Sequence, residues 1–324
     1  MTHYNIVLEL GSQYIRAVSM KDAYIIKEPN LLALDEETKQ VKAVGNMAYK
    51  LLNSNMANVV LFRPIKNGVP VDSQGVTQIL TDLMVKMTGG RLFSNVNVYC
   101  VLPLGMSKKD KSTIENVLNQ VGVRQSKFLL MPLADSTKVF NEFDTNCGII
   151  CNIGGDTTDI SAVVNDNIIA GCTLFYGSRQ IERDIVQFVL DKYNVKITMQ
   201  DAEEIKCNCG SLYPNDNSTY ITSGVNIQKG TIEEINFSSR EIYNTIASIN
   251  AKYCQVIKSI LTSIDTQTSA MLRSEGVFLC GGGAKLTGID RYFIDVLKFG
   301  ARIASNPQEV TIKGGQILVK RLLV

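Results

Sequence analysis

Apolar positions along this chain switch between a strand-like period and a helix-like period, and each switch marks an element. Tyr4-Asn5-Ile6-Val7-Leu8-Glu9-Leu10 is a nearly continuous apolar run that predicts a buried strand, ended by Gly11-Ser12-Gln13. A second strand, Tyr14 to Ser19, follows at once, which makes Gly11-Ser12 a tight hairpin turn. The stretch Asn30 to Leu34, followed by turn-like Asp35-Glu36-Glu37-Thr38, predicts another hairpin, and Gly45 to Leu52 a short helix. Val76, Ile79, Leu80, Leu83, Met84 and Met87 share one helical face, with Gly89-Gly90 as the stop. Val96 to Leu102 reads as a buried strand. Ser107 to Val121 reads as a helix that begins with Ser107 as N-cap and Asp110 in an acidic first turn, and ends at Gly122.

The middle of the chain repeats the opening. Gly148 to Ile153 predicts a strand, Gly154-Gly155-Asp156-Thr157-Thr158 a glycine-rich turn, and Asp159 to Val164 a returning strand. Strand, small-residue turn and strand therefore occur twice, from Gly11 to Gly154, about 143 residues apart. Two similar α/β domains, each opening with a hairpin, account for this; coincidence between two glycine hairpins is the plainer alternative. Helices are expected at Gln180 to Tyr193, Met199 to Cys209 and Ser238 to Ile264, with a polar, turn-rich stretch at Pro214 to Thr219. Gly276 to Cys280 is a strand that runs into Gly281-Gly282-Gly283-Ala284, and the tail closes with Gly314-Gly315 and an apolar helix from Gln316 to Leu323.

Composition narrows the function classes. At 324 residues the chain suits two domains, and a hydrophobic fraction of 45% against 20% charged residues supplies large cores. With 33 basic and 31 acidic residues intermixed, a net charge of +2 gives no basic stripe and no indication of nucleic-acid binding. No basic leader precedes the first apolar run and no stretch is long enough to span a bilayer, so a cytoplasmic protein is expected. Eight cysteines are scattered, several in strand-like runs where cysteine is a small hydrophobe; Cys207-Asn208-Cys209 has the wrong spacing for a zinc knuckle. The only histidine is His3, so His-based nucleophilic catalysis is excluded.

Three glycine turns, at Gly11-Ser12, Gly154 to Thr158 and Gly281 to Ala284, each follow a buried strand. Such turns suit anions, because backbone amides approach phosphate oxygens without a Cβ in the way. None is a Walker A loop or a dinucleotide Gly-x-Gly-x-x-Gly pattern. Their order resembles the actin, Hsp70 and sugar-kinase superfamily, and in detail the MreB bacterial actins. Leu8-Glu9-Leu10-Gly11-Ser12 resembles phosphate loop one, Asn152 to Asp159 phosphate loop two, and Gly281 to Gly288 the adenosine loop. Arg63-Pro64-Ile65-Lys66-Asn67-Gly68-Val69, Leu102-Pro103-Leu104-Gly105-Met106, and Asp201 to Lys206 with Gly210-Ser211 are MreB-like too, collinear over nearly the whole chain.

The resemblance implies an actin-like (RNase H-like) duplicated α/β fold with an interdomain nucleotide cleft. It places domain I at residues 1–142 plus about 308–324, with subdomain IB at about 31–73, and domain II at 143–307, with subdomain IIB at about 178–236. It implies ATP or ADP with Mg²⁺, contacted by Gly11, Ser12, Gln13, Gly154, Gly155, Asp156, Thr157, Glu203, Glu204, Lys206, Gly282, Gly283 and Ala284, with Glu9 reaching the metal through water. Self-association into filaments for cell shape or envelope organisation is the function implied. An FtsA- or PilM-like adaptor that recruits a membrane machine without extensive polymerisation is the alternative, although its relocated subdomain and C-terminal membrane tail are not evident. A sugar-kinase-type phosphotransferase lacks its catalytic aspartate here.

Against the family pattern, four positions depart. The usual first-loop aspartate is Glu9, whose extra methylene moves the carboxylate about 1.5 Å toward the phosphates. The second-loop aspartate is Asn152, which brings no charge to a hard cation, and Asp156 replaces a glycine where a γ-phosphate is expected. Asp156 taking over a metal-ligand role from Asn152 is the alternative. Met131 stands where related chains carry a water-orienting glutamate or glutamine, and it can neither accept a proton nor align water. Asp135 could replace it only from a displaced helix start, while Thr157 and Thr158 remain to contact phosphate or water. Hydrolysis lost or slowed is the expectation, against a distant homologue that uses different residues for the same task. For the membrane surface, Leu92 and Phe93 resemble a short apolar insertion loop, or else pack on their own domain.

Overall fold

The computed structural model describes residues 4–21, 24–52, 58–90 and 95–323. The chain divides into two compact units, Met1–Glu142 with Glu309–Val324, and Phe143–Gln308.

In the first unit, β1 (Tyr4–Leu10) and β2 (Tyr14–Ser19) form the hairpin around Gly11, and β3 (Ile25–Pro29) extends it antiparallel. Next come β4 (Leu32–Asp35), β5 (Val41–Val44), α1 (Gly45–Leu52) and β6 (Val59–Phe62), a small sheet ordered β5-β4-β6 beside one short helix. The two-residue strands β7 (Ile65–Lys66) and β8 (Val69–Pro70) lead into α2 (Ser73–Thr88). Then β9 (Val96–Leu102), α3 (Lys108–Val121), β10 (Gln125–Leu130) and α4 (Met131–Phe143) complete the run. The main sheet is ordered β10-β9-β1-β2-β3, with β9 parallel to both β1 and β10.

Period-2 alternation decides which helices cover which face. Ile6, Leu8 and Leu10 of β1 bury against residues of α2 and α3, including Leu80, Leu83, Ile114 and Leu118. Val7 points the other way, into a cluster with Val18, Tyr99, Val101, Ala134, Ile312 and Val319. α3 has the expected N-cap at Ser107, and Asp110 goes further by closing a capping box: Asp110 N–H donates to Ser107 Oγ at 3.2 Å and Ser107 N–H to Asp110 Oδ2 at 3.0 Å.

The second unit repeats this plan. β11 (Cys147–Ile153), β12 (Thr158–Val164) and β13 (Asn167–Leu174) form an antiparallel meander, followed by α5 (Ser178–Tyr193), β14 (Val195–Lys196) and α6 (Met199–Cys209). A hairpin of β15 (Thr219–Asn226) and β16 (Ile232–Ser238) precedes α7 (Ser239–Ser263) and α8 (Thr266–Glu275). Then β17 (Val277–Cys280), α9 (Ile289–Leu297) and β18 (Ala301–Ile303) close the unit. Its sheet order is β13-β12-β11-β17-β18, the same arrangement of a three-strand meander joined to two parallel strands. Ile149, Cys151 and Ile153 of β11 bury against α5, α7 and α9, through residues such as Ile185, Ile246, Tyr253 and Phe293.

The C-terminal helix departs from the sequence expectation. α10 (Val310–Leu323) begins six residues before Gln316 and runs straight through Gly314-Gly315. A Cβ at Gly314 would lie 1.7 Å from the Ala134 carbonyl oxygen, and one at Gly315 would lie 2.9 Å from Val7 and Val101 methyls. The glycine pair therefore marks close packing of α10 on α4 and the sheet, not a stop. The β15–β16 hairpin is a second difference. Only its approach had a signal, the turn-rich stretch at Pro214 to Thr219.

Candidate functional site

The first turn is built on a cross-strand ion pair. Glu9 and Arg16 face each other in register on β1 and β2, and Arg16 Nη1 lies 3.2 Å from Glu9 Oε1. Burial raises the Glu9 carboxyl above its ordinary value, and the Arg16 charge and hydrogen bond oppose that rise. Glu9 Oε2 is buried without a hydrogen-bond partner. Gly11 is required by the turn, since a Cβ there would come 2.4 Å from the Tyr14 carbonyl oxygen. Asn30 locks the loop from outside: its Nδ2 donates to the Ser12 and Ile65 carbonyls, both at 2.8 Å, and its own N–H donates to Gln13 O at 3.0 Å. Sequence reasoning missed Asn30 as a loop-holding residue. An asparagine immediately before the apolar run Leu31-Leu32-Ala33-Leu34 was the available signal.

In the second unit two glycine turns meet. Gly154 N–H donates to Thr157 O at 2.9 Å, closing the β11–β12 turn. Gly281, at φ +79°, packs so tightly that a Cβ would lie 2.4 Å from Asn152 Oδ1 and from Ile153 O. A Cβ at Gly283 would lie 2.3 Å from Ile153 Cγ2. The 3₁₀ turn Gly282–Lys285 buries Ala284 and leaves Gly282 exposed. The putting together of these loops is thus a consequence of β11 and β17 being parallel neighbours.

The β11–β12 turn is also fastened to the start of α5. Ser178 and Arg179 N–H groups donate to Gly154 O and Gly155 O, each at 2.9 Å, and Gly177 leaves no room for a Cβ beside those carbonyls. Arg179 Nη1 pairs with Asp156 Oδ1 at 2.8 Å, and its Nε lies 4.0 Å from Glu182 Oε2. Glu182 in turn binds Lys206 of α6, and its carboxyl is raised by burial despite that partner. Asp156 is therefore a buried, charge-compensated residue rather than a bare negative charge at the turn. Of the α6 residues, Lys206 is engaged by Glu182, Glu204 accepts from Tyr220 Oη at 2.9 Å, and Glu203 is half-buried. Thr157 is half-buried, whereas Thr158 is fully buried and donates to Tyr176 O at 3.0 Å, so its proton is already used inside the sheet.

At the start of α4, Met131 packs half-buried on the cluster of Val7, Val18, Tyr99 and Ile312. Asp135 does not stand in for a water-orienting carboxylate: it is fully buried and accepts from Thr311 Oγ1 of α10 at 2.7 Å. Leu92 and Phe93 lie outside the described residues. Among the described residues no group of three or more acidic, cysteine or histidine side chains is arranged to hold a metal ion. The unsatisfied carboxylate oxygen Glu9 Oε2 is the kind of acceptor that a water-mediated Mg²⁺ would use. No helix among them is long and apolar enough to cross a membrane.

Comparison with known proteins agrees with the duplicated architecture. The chain is 23% identical over 320 residues to the cell shape-determining protein Mbl of Bacillus subtilis (strain 168), covering 98% of this chain and 96% of that protein. The structure of MreB5 of Spiroplasma citri bound to AMPPNP superposes with a TM-score of 0.92 at 24% identity, covering 100% of this chain and 98% of that one. The same protein bound to ADP gives a TM-score of 0.90 at 24% identity, covering 99% and 97%. The MamK double helical filament gives a TM-score of 0.81 at 14% identity, covering 98% of this chain and 99% of that one. These likenesses show an actin-like fold. The MreB/Mbl protein family profile matches residues 3–323, and the chain belongs to that family.

Proposed function

We propose that this protein is an actin-like cytoskeletal protein that forms filaments for cell shape or envelope organisation, holds an adenine nucleotide with Mg²⁺, and hydrolyses it slowly or not at all. It acts in the cytoplasm, against itself and at the membrane surface. Family membership, the cell-shape role of the Bacillus relative and the filament formed by MamK support self-assembly. ADP and AMPPNP bound to MreB5 support an adenine nucleotide.

The observation that carries the impaired hydrolysis is the start of α4. Met131 lies against an apolar cluster, and the nearest carboxylate on that helix, Asp135, is buried and bonded to Thr311. Neither can take a proton from an attacking water or align it. When bound, Mg²⁺ would supply positive charge to the phosphates; Glu9 would hold it through water, and the neutral Asn152 would bring it no charge. The glycine turns keep their close-packed backbones, so binding survives where catalysis does not.

The test measures binding of a fluorescent ATP analogue, phosphate release, and pelleting with electron microscopy, each with ATP, AMPPNP and no nucleotide. Micromolar binding with filaments and phosphate release near background is expected, with faster release in Met131→Glu. Brisk release by the unaltered protein would overturn the impaired-hydrolysis reading. Filaments under none of these conditions would leave the adaptor reading in its place.

A further inference from the structure

We propose that Arg179 is a positioning residue for the nucleotide phosphates: by neutralising Asp156 it lets the second glycine turn face a triphosphate and sets the preference for ATP over ADP. The inference rests on the nucleotide-binding reading above. The turn carries an aspartate that is 7% exposed, at a place where a negative charge opposes a polyphosphate. The same unit supplies the compensating charge. Arg179 Nη1 sits 2.8 Å from Asp156 Oδ1, and the arginine side chain is 13% exposed. Screening by salt is weak for a pair this deep, so the compensation operates at close to full strength.

The arginine is held by more than the aspartate. Its backbone N–H donates to Gly155 O at 2.9 Å, so side chain and main chain grip the same turn from two directions. Behind it, Glu182 lies 4.0 Å from Arg179 Nε and binds Lys206, giving an alternating series Asp156, Arg179, Glu182, Lys206 that sums to zero charge. Losing one member exposes its neighbour's charge to the turn, whereas losing an adjacent opposite pair does not. This distinguishes a phosphate-directed role from simple bracing of α5.

The experiment titrates ATP and ADP, each with Mg²⁺, against the full chain and four variants: Arg179→Gln, Arg179→Lys, Asp156→Asn and the double Asp156→Asn/Arg179→Gln. Circular dichroism and thermal melting report folding. Arg179→Gln should weaken ATP by at least about tenfold more than ADP, because the terminal phosphate adds charge beside an uncompensated Asp156. Arg179→Lys should keep the wild-type ratio of the two affinities, and the neutral double variant should return to within about threefold of it. Asp156→Asn, which removes the turn's negative charge and keeps Arg179 with Glu182 as its remaining ion-pair partner, should shift the ratio toward ATP. That variant decides the matter if Arg179→Gln does not fold. Loss of melting temperature with an unchanged ATP-to-ADP ratio in Arg179→Gln and Asp156→Asn would assign the pair to bracing alone and overturn the inference. If the unaltered chain binds neither nucleotide, the functional reading falls and takes this one with it; binding with an unmoved ratio removes only the role of Arg179.

Discussion

Glu9 carries two opposed effects that make its protonation measurable. Burial raises its carboxyl above the ordinary value of 4.5, and Arg16 at 3.2 Å lowers it by less. In the folded chain the proton is therefore held to a higher pH than in the unfolded chain. Glu9 costs stability at neutral pH, and that cost disappears as pH falls through the raised folded value toward 4.5. Compared with Glu9→Gln, the unaltered protein should gain relative stability as pH is lowered through that window, read by urea unfolding at a series of pH values. A difference between the two proteins that does not vary with pH would refute the assignment. Met131 gives the complementary case of a side chain acting only by its volume. Met131→Leu should change stability by less than about 1.5 kcal/mol and leave phosphate release where it was. At this scale the glycine turns were legible, because they are local in sequence. Their partners were not: Arg16, Asn30, Arg179 and Thr311 are brought to Glu9, Ser12, Asp156 and Asp135 by strand register and helix packing.

Elements whose ends carry their own chemistry were read nearly to the residue. α3 starts from the Ser107–Asp110 capping box and ends at Gly122 in the left-handed conformation, and Val96–Leu102 has a buried pattern its apolar run dictates. The C-terminal helix was read short because a glycine pair is unfavourable inside a helix, while its purpose here is set by a carbonyl on another element. Gly314→Ala would press a methyl into the Ala134 carbonyl oxygen, 1.7 Å from its ideal position, with backbone on both sides unable to yield cheaply. Despite the better helix propensity of alanine, a net loss of about 2–4 kcal/mol is expected in chemical denaturation. No loss would mean that α10 stands off from α4. Thr311→Val tests the neighbouring contact: it strips the buried Asp135 carboxylate of a hydroxyl donor at 2.7 Å and should cost about 1–3 kcal/mol.

On the scale of the molecule, the repeat seen from Gly11 to Gly154 is a repeat of topology. Both main sheets place a three-strand meander beside two parallel strands, and both put a glycine turn at the first hairpin. The four positions on which the proposed slow hydrolysis rests are distributed over both units, Glu9 and Met131 in one and Asn152 and Asp156 in the other, so on that reading no single reversion would restore turnover. Filament dynamics should follow from that. In a polymer whose nucleotide is hydrolysed, ATP filaments age toward the ADP state and come apart faster than filaments locked with AMPPNP. Here the two should behave alike. After dilution below the assembly threshold, light scattering of ATP-grown and AMPPNP-grown filaments should decay with half-times within about twofold of each other, since both retain a triphosphate. ADP-grown material, lacking the terminal phosphate, should assemble less or decay sooner. If ATP-grown filaments instead decay with the ADP rate while AMPPNP filaments persist, hydrolysis is proceeding within the polymer. The water would then be oriented by a residue other than those at the start of α4.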